Sequence, residues 1–302
     1  MKKAFIFTGQ GNEYLGMGKE LYENSEYARS IIDKLDFGYN FKEICVEEND
    51  LIHNTLYSQS SIFVLSIILA NLLKEKGLVP DAVAGLSLGE YTAICYSGIL
   101  SIEDTNSLIT KRAKIMSEAL ENSDSGMTAI MFYDKEKVKN NLINCEIANY
   151  NSYNQTVIAG IKKHIEETAL KCTDDGAKCI LLNVTGAFHS SLLKEASTKL
   201  YDELIKYDYK NAKIPIYYNY TGNKTESDIK ELLVKQLYNP VKFIDIIENM
   251  LNDGVEEFYV VGIGNAPRSF IKNISDKYGK KVKIKCIEHL KDVNEVIVWK
   301  EL

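Results

Sequence analysis

The stretch Gly85-Leu86-Ser87-Leu88-Gly89 carries the clearest chemistry in this chain. A serine with a glycine two positions to either side fits a nucleophile elbow, a sharp strand-to-helix turn that exposes the hydroxyl. Larger residues at the glycine positions would clash with the elements that fold back on the turn. The flanks fit: Ala82 to Gly85 reads as a short strand, and the chain from Ser87, through Glu90 to Tyr96, as a helix. The positive end of that helix would face the serine oxygen and any oxyanion developing on a bound carbonyl. The competing reading is an ordinary glycine-flanked turn without chemistry.

A serine hydroxyl needs a base to take its proton, and the chain offers four histidines. His53 follows Asp50-Leu51-Ile52 and reads as a surface loop residue. His164 lies among Lys162, Lys163, Glu166 and Glu167 on a solvated helix face. His189 lies in Gly186-Ala187-Phe188-His189-Ser190-Ser191, a small-residue loop leading into a helix, where catalytic side chains concentrate. His289 lies near the C-terminus, and the serine-acid-histidine order of α/β-hydrolases admits it. Pattern alone leaves His189 and His289 level.

These residues must be held by regular elements. Lys3 to Thr8 reads as a strand running into the loop Gly9-Gln10-Gly11. Tyr57 to Lys76 reads as a long buried helix closed by Gly77 and Pro80, and Ser101 to Leu120 as a helix with Ser101 as N-cap and Asp104 three residues on, a weaker capping box. The texture then changes. Strands are expected at Met127 to Tyr133, Cys145 to Tyr150, Thr156 to Ala159 and Lys178 to Val184, with helices at Lys135 to Leu142 and Lys162 to Asp174. This β-α-β-β-α-β order is ferredoxin-like. Alternation then resumes, with helices at Ser191 to Tyr207, Glu226 to Leu237 and Pro240 to Leu251, and strands at Ile214 to Tyr218 and Glu257 to Val261, as in a mostly parallel sheet. The expected organisation is a large α/β unit from 1–124 and 187–302, interrupted by a small ferredoxin-like α+β unit at 125–186. Trp299 carries no evident role.

With 302 residues, 45% of them hydrophobic, the chain can bury a large core. Its net charge of −6 argues against a general nucleic-acid binder. The apolar N-terminal run stops at Phe7, too short for a signal peptide. The longest apolar run, Ile62 to Leu73, is interrupted by Ser66 and Asn71 and is too short to span a bilayer. No export and no membrane anchoring are expected, hence a cytoplasmic location. The six cysteines lack the close spacing of a zinc site and read as free thiols, with no metal. Gly262 and Gly264 lack the third glycine of a dinucleotide loop.

Several segments match one family. The chain resembles the malonyl-CoA:acyl-carrier-protein transacylases of fatty-acid synthesis and the related polyketide acyltransferases. The match runs through Phe7 to Gly11, Gly16-Met17-Gly18, Gly85 to Tyr91 (GLSLGEY), Lys111-Arg112 with Met116, Ala148 to Gly160 (ANYNSYNQTVIAG), Phe188-His189-Ser190 and Gln236 to Pro240 (QLYNP). The resemblance implies a hydrolase-like α/β core carrying a ferredoxin-like insertion. It implies Ser87 as the acylated nucleophile, His189 as general base, and Gln236 as the residue whose backbone carbonyl orients the histidine in place of a triad carboxylate. It implies oxyanion-hole N–H groups at Gln10 and Leu88. Arg112 matches the arginine that pairs with the free malonyl carboxylate, a task suited to a bidentate guanidinium; without the resemblance it reads as a solvated helix arginine beside Lys111 and Lys114. Phe188 would limit room at the α-carbon and disfavour methylmalonyl. Gln59, Asn149 or Asn151, and Asn219 match polar positions around the cleft.

The chain departs from the pattern at two places. Many members carry a histidine, which helps hold the malonyl group, where this chain has Leu86; that position bears on substrate affinity and choice. The usual Glu-Val-Gly-Pro-Gly stretch is here Val260-Val261-Gly262-Ile263-Gly264. The expected activity is S-malonyltransfer from malonyl-CoA to the phosphopantetheine thiol of an acyl carrier protein through a malonyl-serine, by a monomer, without a cofactor. The alternatives are a polyketide-pathway acyltransferase with another acyl group and an editing acyl hydrolase. An acidic carrier would need a local basic patch, for which Lys111 and Lys114 are candidates.

Overall fold

A computed structural model describes residues 1–298, so Trp299 lies outside the described residues. The chain opens with β1 (Lys2–Phe7), buried from Ala4 onward. Two short helices follow, α1 (Lys19–Asn24) and α2 (Glu26–Ile32), to which the sequence reading assigns nothing. The long helix α3 (Thr55–Glu75) begins earlier than its apolar pattern suggests, because Asn54 caps it by accepting the Leu56 N–H at 3.0 Å. It has the length and apolarity of a membrane span, but most of it is buried inside the protein. Next come β2 (Ala82–Gly85), α4 (Leu88–Tyr96) and α5 (Ile102–Leu120). Ser101 Oγ caps α5, accepting the Asp104 N–H at 3.0 Å and donating to its carboxylate at 2.8 Å.

The middle of the chain forms β3 (Ser125–Met131), α6 (Lys135–Asn141), β4 (Glu146–Ser152), β5 (Gln155–Ile161), α7 (Lys162–Asp174) and β6 (Lys178–Leu181). The rest forms α8 (Ala196–Leu204), β7 (Ile216–Tyr217), α9 (Ile229–Tyr238), α10 (Phe243–Asn252), β8 (Val255–Val261), α11 (Ala266–Lys277), β9 (Lys283–Ile287) and α12 (Leu290–Val298). Two sequence expectations are corrected here. Ser191 to Tyr207 is not one helix: a 3₁₀ turn at Ser191–Leu193 precedes α8. Helix α10 starts at Phe243, not Pro240, because Val241 serves another strand. Its N–H donates to Ala148 O and its carbonyl accepts the Tyr150 N–H, both at 2.9 Å.

Two sheets result. The larger, in the order β7-β2-β1-β8-β9, is parallel throughout. The smaller, β4-β5-β3-β6, is antiparallel throughout, the ferredoxin-like arrangement. Ile130, Ile147 and Ile158 on one face of the small sheet pack with Val138, Ile165 and Cys172 of its own helices. Met127, Ala129, Ala148, Val157 and Ala159 on the other face join the main core. The small sheet therefore shares its inner face with the large unit, and a cleft opens where they meet. All six cysteines are free thiols, and burial pushes Cys45 and Cys95 up to about 12.

Candidate active site

Parallel sheets of this kind present ligands at the carboxyl ends of their strands. Ser87 sits there, between the end of β2 and the start of α4. A Cβ at Gly85 would lie 1.9 Å from the Gly89 carbonyl carbon, and one at Gly89 would lie 2.3 Å from the Phe7 carbonyl oxygen. Both obstacles are backbone, so only glycine lets α4 fold this tightly onto β1 and β2. Ser87 has φ 54° and ψ −100°. Such a left-handed conformation costs a non-glycine residue about 1–3 kcal/mol and persists only where the surroundings over-determine it.

Distance agrees with the resemblance in placing His189, and not His289, beside Ser87. Ser87 Oγ lies 2.7 Å from His189 Nε2. His289 Nδ1 lies instead 2.7 Å from Glu20, His53 is exposed at the end of a 3₁₀ turn, and His164 sits on α7. His189 Nδ1 is 2.8 Å from the Gln236 carbonyl. A carbonyl only accepts, so Nδ1 carries the proton and Nε2 is left to accept one from the serine. Gln236 lies in the last turn of α9, where carbonyls lack intrahelical partners. Its natural donor would be the N–H four residues on, but that residue is Pro240, which has none. Burial of the ring, and then the Arg112 cation, penalise the protonated imidazole. The Gln236 carbonyl opposes them, and His189 is held down at about 4. Its ring is therefore neutral across the near-neutral range, with Nε2 free to accept a proton.

Arg112 is not a solvated helix residue: its side chain is 1% exposed. It reaches from α5 with Nη1 donating to Gln59 Oε1 at 2.6 Å, and with Nη2 donating to Ser87 Oγ and to Gln236 Oε1, both at 3.3 Å. The guanidinium stacks over Tyr91, 5.1 Å from the ring centre. Gln236 thus serves twice, because its side-chain Nε2 also donates to the Ser87 carbonyl at 2.8 Å. The side chain of Gln10 bonds Thr55 and Gln59. The main-chain N–H groups of Gln10 and Leu88 donate to no protein acceptor among the described residues. Leu88 is the first residue of α4, so its N–H lies at the positive helix end.

A cavity of about 130 Å³ beside Ser87 is lined by Gln10, Gln59, Arg112, Asn149, Phe188 and His189, among others. That is smaller than sites for drug-sized ligands, and it suits a short acyl group. A wider cleft of about 560 Å³ shares Gln10, Leu86, Asn151, Val157, Leu182 and Val184 with it and runs along the inner face of the small sheet.

Comparison with known proteins decides the family: residues 4–291 match the acyl transferase domain. The chain belongs to that family. A curated malonyl CoA-acyl carrier protein transacylase of Bacillus subtilis (strain 168) is 36% identical over 292 residues, which are 91% of this chain and 90% of the relative. The enzyme of the same name from Staphylococcus aureus (strain MRSA252) is 33% identical over 97% of both chains. Among solved structures, the malonyl CoA-acyl carrier protein transacylase of Clostridium perfringens superposes with a TM-score of 0.91 at 33% identity, covering 100% of this chain and 98% of the other. A malonyl-transacylase solved in complex with its type II PKS acyl-carrier protein gives 0.92 at 26% identity, covering 99% of both.

In this acyltransferase, Ser87, His189, Gln236, Arg112, Gln59, Gln10, Leu88, Phe188 and Asn149 all gather at one cleft. Asn219 stands behind the elbow rather than in the cavity, and Asn151 joins Asn149 in the wall. Lys111 and Lys114 share a surface groove with Glu118, Asp202 and Glu203, so that patch is mixed rather than basic. Sequence reading passed over Glu90. Its signal was a carboxylate in the first turn of a helix otherwise built of apolar and small residues, now fully buried.

Proposed function

We propose that this acyltransferase moves a malonyl group from malonyl-CoA to the phosphopantetheine thiol of an acyl carrier protein, supplying chain extension in fatty-acid or polyketide synthesis. His189 Nε2 takes the Ser87 proton as Oγ attacks the thioester carbonyl. The oxyanion is received by the N–H groups of Leu88 and Gln10. Collapse expels the CoA thiolate, which recovers the proton from His189 and leaves malonyl-Ser87. The carrier thiol then gives its proton to His189 and attacks the ester, and Ser87 Oγ leaves with that proton. Every bond change uses Ser87, His189 and backbone dipoles, so the reading needs no cofactor and no metal. These groups and Arg112 come from one chain, which is consistent with a working monomer. A cytoplasmic setting, where CoA thioesters and carriers meet, goes with this reading.

The observation that carries the acyl choice is Arg112, a buried cation with one nitrogen 3.3 Å from the nucleophile. A cation sealed from water beside the reacting oxygen favours an acyl group ending in an anion. The wider cleft has amide side chains of Asn151, Asn183 and Gln155 beside apolar Met131, Val157, Ile180 and Leu182, which suits the alternating amide and alkyl groups of a pantetheine arm.

Intact-mass spectrometry after mixing with malonyl-CoA tests the covalent step. Wild type gains one malonyl group and Ser87→Ala gains none. A malonylated Ser87→Ala, or release of free malonate in place of malonyl-carrier, would overturn the reading. In a panel of malonyl-, methylmalonyl- and acetyl-CoA, Arg112→Ala loses malonyl preference by roughly 100-fold, the scale of a charge-assisted hydrogen-bond pair.

A further inference from the structure

A strand that ends in a tight elbow leaves backbone groups without a ladder. β2 pairs with β7 only through Val83 and Ala84. Past that point the Gly85 carbonyl and the Ser87 N–H would be without a strand partner. Asn219, two residues beyond β7, supplies both. Its Oδ1 accepts the Ser87 N–H at 2.7 Å and its Nδ2 donates to the Gly85 carbonyl at 2.6 Å. On the opposite side, the Leu86 N–H donates to Phe7 O at 3.0 Å. One side-chain amide therefore continues the ladder across the elbow.

Asn219 is itself seated at both main-chain atoms. Its N–H donates to the Glu90 carboxyl, and its carbonyl accepts the Lys242 N–H at 3.0 Å. Glu90 is 0% exposed and lies one helical turn past the nucleophile. An acidic side chain with no access to water is costly unless it is bonded, and its bond goes to Asn219. Burial pushes Glu90 up to about 8, against the pull of the Asn219 N–H and of Arg112. A neutral group with an accepting oxygen is therefore enough at this position. Neither Asn219 nor Glu90 lines the cavity beside Ser87.

We infer that Asn219, seated by Glu90, is a positioning residue for acyl transfer: it holds the Ser87 peptide, and with it the left-handed conformation that aims Oγ at His189. The inference rests on Ser87 being the acylated nucleophile, as proposed above. Loss of the bracket lets the strained residue relax, and displacement of a reacting atom by about 1 Å costs roughly 100-fold in rate.

The test follows two reactions of Ser87 in the full-length protein: acylation by malonyl-CoA, and phosphonylation by a small fluorophosphonate that carries no carboxylate. Asn219→Ala is expected to slow both in parallel, by roughly 100-fold, with KM for malonyl-CoA within about twofold of wild type. Asn219→Asp keeps the acceptor for Ser87 but turns a second acceptor toward Gly85 O, and is expected to fall between. Glu90→Gln preserves the acceptor for Asn219 and restores most of the rate lost in Glu90→Ala. Should Asn219→Ala fail to fold, the Asp and Gln variants decide. Wild-type phosphonylation in Asn219→Asp, a rise in KM with phosphonylation unchanged, or equal losses in Glu90→Gln and Glu90→Ala would overturn the inference. Phosphonylation does not depend on the acyl donor, so failure of the malonyl assignment would appear separately, as wild type that reacts with the phosphonate but not with malonyl-CoA.

Discussion

Arg112 is held before any substrate arrives by Gln59, Gln236 and Ser87 Oγ, while its buried Nε donates to no protein acceptor among the described residues. That open donor is available to a bound carboxylate, so on the proposed mechanism the same cation would bear on both the acyl choice and the electrostatics of His189. Burial first, and Arg112 second, hold His189 down at about 4. The base works when unprotonated, so lowering its pKa preserves activity toward acid. The acid limb of kcat/KM for malonyl-CoA is expected near pH 4, where an unperturbed imidazole would fail near about 6.5. In Arg112→Ala the limb moves up only part of the way, because burial remains; a limb unmoved by this change would deny the coupling. At Leu86 this chain lacks the imidazole that many relatives place beside the nucleophile, and Leu86 lines both cavities. Leu86→His is expected to lower KM for malonyl-CoA roughly 20-fold, about one hydrogen bond to a charged group, with the KM for acetyl-CoA unchanged. The elbow was legible in the sequence because its glycines are local requirements. Local pattern left His189 and His289 level, because the choice depends on a contact across 102 positions, and only the resemblance to the family pointed to His189.

Helix α9 ends where the chemistry needs a free carbonyl. Asn239 is extended at φ −124°, as a residue before proline tends to be, and Pro240 supplies no N–H. Pro240→Ala would create a donor four residues beyond Gln236 and let the helix compete for the carbonyl that orients His189. The expected result is a fall in kcat of about tenfold, the loss of one ordinary hydrogen bond, with KM unchanged; steady-state kinetics at unaltered kcat would refute it. Helix α3 was readable from its long apolar run and α7 from its periodicity. The strand β9 (KIKCI) was not, because as an edge strand it is only partly buried. The start of α10 was misread because Val241 is claimed by β4 of the other sheet, a pairing no local pattern announces.

At the scale of the whole chain, two sheets share one apolar interior: Met127, Ala148 and Val157 of the small sheet belong to the same cluster as Phe5 of the large one and Phe63 and Leu88 of the helices packed on it. Val241 also ties the two by backbone hydrogen bonds. Scanning calorimetry should therefore give a single transition with matching van't Hoff and calorimetric enthalpies; two separated transitions would mean that the sheets fold independently. The order of strands and helices in the sequence was enough to anticipate both sheets, but not how they meet, since that seam is made by scattered side chains. Seen across the whole chain, the group that orients His189 has an unusual genetic status. It is a peptide carbonyl, and every amino acid at position 236 provides one. Saturation mutagenesis is expected to mark Ser87 and His189 as intolerant, and at 236, proline and glycine aside, to report the side-chain amide. The orienting acceptor is shielded from mutation of its own codon and is exposed only through position 240.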